Sequence, residues 1–233
     1  MKKNNPSETI LLGRIARYLM LHGSFTDNIG LLNGKTGFAL FFYEYSRYTG
    51  KKLYKEFANE LIKEIYREIN EFTSLNFREG LCGIGWAIEY FLRNHHVEGE
   101  PDKVLEEFDK KIVEWDVRRI TDLSLEKGLC GIACYVVARL QNRENTHPIL
   151  TGDYCSDLLV SLDKNGKKDK EALELRDVLF RIINRDATET FYNPVYQNVE
   201  KTKFDIATLF EKKRPKGIAN NGYTGIGLKL ILT

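Results

Sequence analysis

The sequence has no run approaching the roughly 18 apolar residues of a membrane span, so no helical span is expected and the chain reads as soluble and cytoplasmic. The opening MKKNNPSETILLGRIARYLML has the basic start of an export signal. Arg14 and Arg17, however, interrupt the apolar stretch that export needs, and residues 7–21 read as a helix. Cysteine is scarce: Cys82, Cys130, Cys134 and Cys155 form no CxxC pair and no zinc-finger spacing, and a chain of 233 residues does not need a disulfide framework. Three of the four lie in apolar helical segments, where a buried, inert thiol is the common state. Charge of one sign is also missing as a block. Thirty-five basic and thirty-three acidic residues are mixed along the length, leaving +2, which argues against a nucleic-acid partner.

What is present is an ordinary folding composition, 42% apolar with 12% aromatics, enough for one substantial core and a single domain over residues 1–233. The decisive feature is an internal repeat. Gly34-Lys-Thr-Gly37-FALFFYEY, Gly80-Leu-Cys-Gly83-IGWAIEYFL, Gly128-Leu-Cys-Gly131-IACYVVARL and Gly222-Tyr-Thr-Gly225-IGLKLIL align, and their first glycines are 46, 48 and 94 residues apart, the last being twice 47. One unit between them has lost its glycines. No GxxG stands near position 175, where the period predicts one, although residues 170–184 keep a helical pattern.

Each GxxG opens a segment that is apolar nearly all round, the pattern of a helix buried on several sides. The intervals hold one-faced helices: over 52–69, Leu53, Phe57, Leu61, Ile65 and Ile69 recur every fourth position among charged residues, and 101–120 repeats the design with Leu105, Phe108 and Ile112 behind a first-turn Pro101. Residues 185–203 read as a long loop. The glycines are expected to allow close backbone approach and a tight left-handed turn into the buried helix. Helix pairs of about 47 residues must stack to hide their inner faces, and five such units nearly fill the chain. The expected fold is all-α, a two-layer ring of inner and outer helices.

GLCGIGWAIEYFL and GYTGIGLKLIL resemble the repeated motifs of lanthionine synthetase C-like proteins, and the resemblance covers nearly the whole chain through four GxxG units. It implies an α/α toroid. It also implies zinc chemistry on ribosomal peptides, in which the metal activates a cysteine thiol for addition to a dehydrated serine or threonine and a histidine assists proton transfer. In that family the ligands are a cysteine just before one GxxG and a Cys-His pair just before the next. Here the corresponding residues are Leu32 and Asn33, Arg78 and Glu79, Glu126 and Lys127, Asn220 and Asn221. Cys82 and Cys130 fall inside the GxxG, and His95, His96 and His147 follow the helices at the far end. The expectation is therefore a small member without the usual zinc ligands, degenerate as a cyclase, that binds a peptide or partner protein of a maturation pathway. No cofactor is expected from the residues themselves; zinc enters through the resemblance alone.

Other chemistry can be set beside this. Gly30-Leu-Leu-Asn-Gly34-Lys35-Thr36 looks like a phosphate loop but has three residues between its glycines instead of four, and no strand precedes it. Cys82 and Cys130 occupy equivalent repeat positions and could form a two-thiolate site, or simply pack as small apolar residues. Arg78, Glu79, Glu126, Lys127, Asn220 and Asn221 would gather at one mouth of a ring, as a polar rim for a ligand or as solvated loop residues. Trp86 and Glu89 on the second buried helix are further cavity candidates, Glu89 being either partnered inside or at a wet edge. Two runner-up readings remain: a carbohydrate-binding or carbohydrate-cleaving toroid using Glu79, Glu126 and Trp86, and a non-catalytic scaffold.

Overall fold

The structure is a computed structural model that describes residues 6–141, 147–166, 169–185, 192–206, 209–211 and 214–232. The described residues form helices and connecting loops, with no strand among them. In chain order the α-helices are α1 (Pro6–Gly23), α2 (Lys35–Thr49), α3 (Lys52–Glu68), α4 (Leu81–Arg93), α5 (Pro101–Val104), α6 (Glu106–Val113), α7 (Leu129–Leu140), α8 (Gly152–Gly166), α9 (Lys170–Ile183), α10 (Pro194–Glu200) and α11 (Tyr223–Leu232); a 3-10 turn, Val117–Arg119, follows α6. They group into two compact units, Met1–Thr73 with Asn193–Thr233, and Ser74–Tyr192.

In the first unit α2 packs on its hairpin partner α3, and α11 packs against both α1 and α2. Every residue of α2 from Lys35 to Tyr45 is buried, as its all-round apolar pattern requires. Helix α3 buries only Ala58, Leu61 and Ile65, while Leu53 is exposed and Phe57 half-buried, its ring edge-on to Phe42 at 4.8 Å. The expected loop over 185–203 is corrected in part: Asn193 caps α10 by accepting the Tyr196 amide at 2.8 Å, and Pro194 occupies the first turn, where its missing N–H is harmless. Residues 186–191 of that stretch lie outside the described residues.

In the second unit the buried helices α4 and α7 and the one-faced α9, which buries Ala172, Leu175 and Leu179, lie side by side, α7 touching both neighbours. Helix α9 has the place of the unit that lost its glycines. Its N-terminus is capped by Asp169, whose side chain accepts the Ala172 amide at 3.0 Å, so a carboxylate does the work the glycine turn does elsewhere. The single helix expected over 101–120 is instead broken at Leu105 and again after Val113. On a continuous helix Asp102 and Asp109 would stand about 10 Å apart along the axis; with the break, both reach the same nitrogen of Arg139, at 3.0 and 2.8 Å.

The first three GxxG segments share one local architecture. The residue six before the first glycine, Asn28, Ser74 or Asp122, offers its carbonyl to the first amide of the helix, Lys35, Leu81 or Leu129, each at 2.8 Å. These loops satisfy amides that a helix start leaves without intrahelical partners. A Cβ on Gly34, Gly80 or Gly128 would collide with that same carbonyl. The expected left-handed turn is not the reason for these glycines: their φ values are −129°, −117° and −112°, open to any residue. Close approach is. A second small position, five residues past the first glycine (Ala39, Gly85, Ala133, Gly227), lies in the helix interface; a Cβ on Gly85 would strike the Tyr135 ring, and one on Gly227 the Phe41 ring.

Candidate functional site

The loops ahead of α4 and α7 bring three of the expected rim residues together. Arg78 forms an ion pair with Glu126 through Nη1, its amide donates to the Glu126 carbonyl at 3.0 Å, and its Nε lies 3.7 Å from Glu79. Lys127 is exposed beside them, its amide donating to Ser124 Oγ at 3.3 Å. Asn220 and Asn221 belong to the first unit, where both adopt positive φ and Asn221 Oδ1 accepts the Lys203 amide at 2.8 Å. At the N-terminus of α2 the phosphate-loop candidates are committed internally: Lys35 binds Glu64 at 3.0 Å and Glu68 at 2.5 Å, and the Thr36 hydroxyl donates to the Ile29 carbonyl. Neither is turned outward to hold a phosphate.

The thiols are sealed. Cys82, Cys130, Cys134 and Cys155 are all buried and unbridged. Burial pushes the Cys130 thiol up to about 12, with Glu171, Asp169 and Asp122 adding to it, and drives Cys82 upward by desolvation alone. Cys134 is pushed well above the ordinary thiol value by burial and by neighbouring Glu171, Cys130 and Cys82. A metal or an electrophile needs a thiolate, and this environment opposes one. Among the described residues no group of three His, Cys, Asp or Glu side chains is placed to hold a metal ion. None of the residues just before the four GxxG motifs is Cys or His, and the loops ahead of α4 and α7 carry an arginine paired to a glutamate, a donor set that does not fit a catalytic zinc there.

Trp86 is completely buried, packed between Phe77 and Tyr90 at 6.1 and 5.6 Å. That removes the aromatic platform on which the carbohydrate reading depends, because a stacking ring must face the sugar.

Glu89 belongs to a different place, a charged network at the C-terminal ends of α4 and α7. Arg139, fully buried, donates from Nε to Asp109, from Nη1 to Glu89 Oε2 at 3.0 Å, and from Nη2 to both Asp109 and Asp102. Tyr135 donates its hydroxyl to Asp109 at 2.6 Å. Arg93 joins Glu89 at 3.2 Å and caps two carbonyls at the end of α7, those of Ala138 and Gln141. His147 accepts the amides of Ile149 and Leu150 on Nδ1, while its Nε2 lies 3.0 Å from Arg139 Nη2 and 3.4 Å from Asp109 Oδ2. Burial pushes the Asp109 carboxyl up, but the hydrogen bonds from His147, Arg139 and Tyr135 outweigh it and hold the group below the usual carboxylate range.

This network forms one wall of a cavity of about 760 Å3 lined also by His95, Glu98, Gly99 and Glu100. Sequence reasoning singled out only Glu89 here. A signal did exist: the buried helices α2, α4 and α7 each carry one charged residue deep in an apolar run (Glu44, Glu89, Arg139), 9 to 11 residues past the first glycine. A charge so placed has to be paired.

Residues 26–178 match the family profile described as lanthionine synthetase C-like protein. The chain belongs to the lanthionine synthetase C-like family. The match spans the first three GxxG units and reaches into α9, and the all-helical pairs are consistent with the α/α toroid of lanthionine synthetase C-like proteins. No curated protein matches the chain. No helix among the described residues is long and apolar enough to cross a membrane.

Proposed function

We propose that this lanthionine synthetase C-like protein handles a ribosomally synthesised peptide in the cytoplasm, as in lantibiotic biosynthesis, by binding it and not by zinc-dependent cyclisation. The observation that carries the reading is the Arg78–Glu126 pair. It joins the two loops that precede successive GxxG motifs, where the family resemblance expects thiolate and imidazole donors. An arginine repels a divalent cation, and a glutamate committed to it is a poor replacement for a soft thiolate ligand. The buried, neutral thiols of Cys82 and Cys130 offer no substitute.

The test combines metal analysis with a thiol assay. The purified chain should hold far less than one zinc per molecule, bind a dehydrated cysteine-containing peptide, and leave that peptide's thiols open to alkylation. One zinc per chain, lost on Cys82→Ser or Cys130→Ser, together with disappearance of peptide thiols, would refute it.

A further inference from the structure

A cation that folding withdraws from water needs an anion or a set of acceptors beside it. Among the described residues five arginines are buried or half-buried: Arg78, Arg93, Arg139, Arg176 and Arg214. The first four each hold a carboxylate, that of Glu126, Glu89, Asp109 and Asp163 respectively. Arg214 holds none, and its Nε is sealed from solvent without a hydrogen-bond partner. Glu211, three residues earlier, is exposed and forms no ion pair with it.

A second guanidinium without a carboxylate stands at the same place. Arg14, exposed on α1, has its Cζ 4.1 Å from the centre of the Phe210 ring, a contact that satisfies none of its N–H donors. Phe210 stacks on Tyr223, the first residue of α11, at 5.2 Å, and Tyr18, one turn after Arg14, meets the Tyr223 ring at 4.7 Å. Burial and Tyr18 push the Tyr223 hydroxyl up, while Arg214 and Arg14 both draw it down, so the two guanidiniums bear on one point. All of these residues belong to the unit formed by Met1–Thr73 and Asn193–Thr233. The N-terminal end of α11 adds positive potential there. Like charges gathered in this way repel, and an anion bound between them relieves both the repulsion and the desolvation of Arg214.

We propose that Arg14 and Arg214 form a subsite for a carboxylate, the side chain of an aspartate or glutamate in a bound peptide. Guanidinium and carboxylate match fork to fork, and the half-buried Tyr18 and Phe210 rings supply apolar surface for the methylenes that carry the acid. That the carboxylate comes from a peptide rests on the peptide-handling reading above; the demand for an anion does not.

The experiment titrates the full, isotope-labelled chain with acetyl-Ala-Glu-Leu-Glu-Ala-amide and with its glutamine counterpart, which has the same shape without the charge, and follows arginine side-chain signals by NMR. Saturable binding of the glutamate peptide is expected, about fivefold tighter than that of the glutamine peptide and weakening with salt. Arg214→Gln should weaken it about tenfold and Arg14→Gln about threefold. Arg181→Gln, which removes an exposed charge from α9, should leave it within about twofold. Because Arg214 has no partner to lose, Arg214→Gln should keep or raise the melting temperature, which separates lost binding from a lost fold. A fall of more than about 4 °C means that the guanidinium already serves the fold, and overturns the proposal. Equal binding of the two peptides, or equal losses in Arg181→Gln and Arg214→Gln, also overturns it, as does inorganic phosphate binding at these arginines more tightly than the glutamate peptide. If the glutamate peptide binds as described while the dehydrated cysteine-containing peptide does not bind, the subsite stands and the peptide-handling reading falls. Binding of that dehydrated peptide with the glutamate peptide left unbound gives the reverse.

Discussion

Replacing Gly128 by alanine should destabilise the protein, while the same change at Gly152 should not. At Gly128 the backbone is extended, φ −112°, so alanine suffers no dihedral strain and, by chain entropy alone, would stabilise by about 0.4–1 kcal/mol. The surroundings reverse this. The new Cβ would sit 2.5 Å from the carbonyl carbon of Asp122 and 2.9 Å from its Oδ1, where ordinary contact begins at 3.4 Å. The loop must retreat by roughly 1 Å, an overpacking cost of about 1–3 kcal/mol. The Asp122 carbonyl also accepts the Leu129 amide at 2.8 Å, and losing that bond adds about 0.5–1.5 kcal/mol. The net loss is about 0.5–4 kcal/mol, centred on about 2, or a fall in melting temperature of roughly 1–16 °C for a chain of this size. At Gly152, the first residue of α8, nothing lies within 4 Å of the Cβ position, so alanine there should be neutral or gain up to about 1 kcal/mol. Calorimetry on the two variants reads both. If their melting temperatures fall within about 2 °C of one another, close approach is not why the repeat keeps its glycines.

Asp109→Asn removes the carboxylate that Arg139, His147 and Tyr135 share, and should cost about 3–5 kcal/mol at neutral pH by leaving Arg139 buried beside a neutral group. Because the folded carboxyl is held below its unfolded value, its contribution is complete above about pH 4 and is lost as pH falls through the lower folded value. The variant should therefore show a flatter decline of stability below about pH 4 in urea titrations; an unchanged acid limb would contradict the assignment. The four thiols should resist a disulfide reagent at pH 8 in the native state and all react in denaturant, since burial holds Cys130 near 12 and Cys155 near 11. Two rapidly reacting native thiols would instead revive a thiolate site.

Much of the architecture was legible from periodicity alone. An apolar pattern on every side of a helix, as in 35–45 and 129–138, can only be buried from several directions, and those residues are buried. The one-faced helix at 52–68 was equally readable, although which of its apolar residues turn inward was not: Leu53 is exposed, while the neighbouring Tyr54 packs against Phe42 and Tyr45 of α2. No local pattern marks the break at Leu105. Asp102 and Asp109 are drawn to an arginine 37 and 30 residues further on, a demand no local pattern records.

The same division separates what sequence determined from what tertiary structure decided. Four in-phase GxxG units, each opening an apolar helix, were sufficient for the all-helical class, which follows from the burial pattern along the chain, and their residues carry the resemblance to the family that the profile match shows. That none of the residues just before each GxxG is Cys or His is likewise read from the sequence alone. Folding decided what those residues do. It paired Arg78 with Glu126 across 48 positions, sealed the thiols, enclosed Trp86, and gathered Glu89, Asp102, Asp109 and Arg139 at the far ends of α4 and α7. A buried charge takes its function from the partners packed around it, and those partners are chosen by which helices lie side by side.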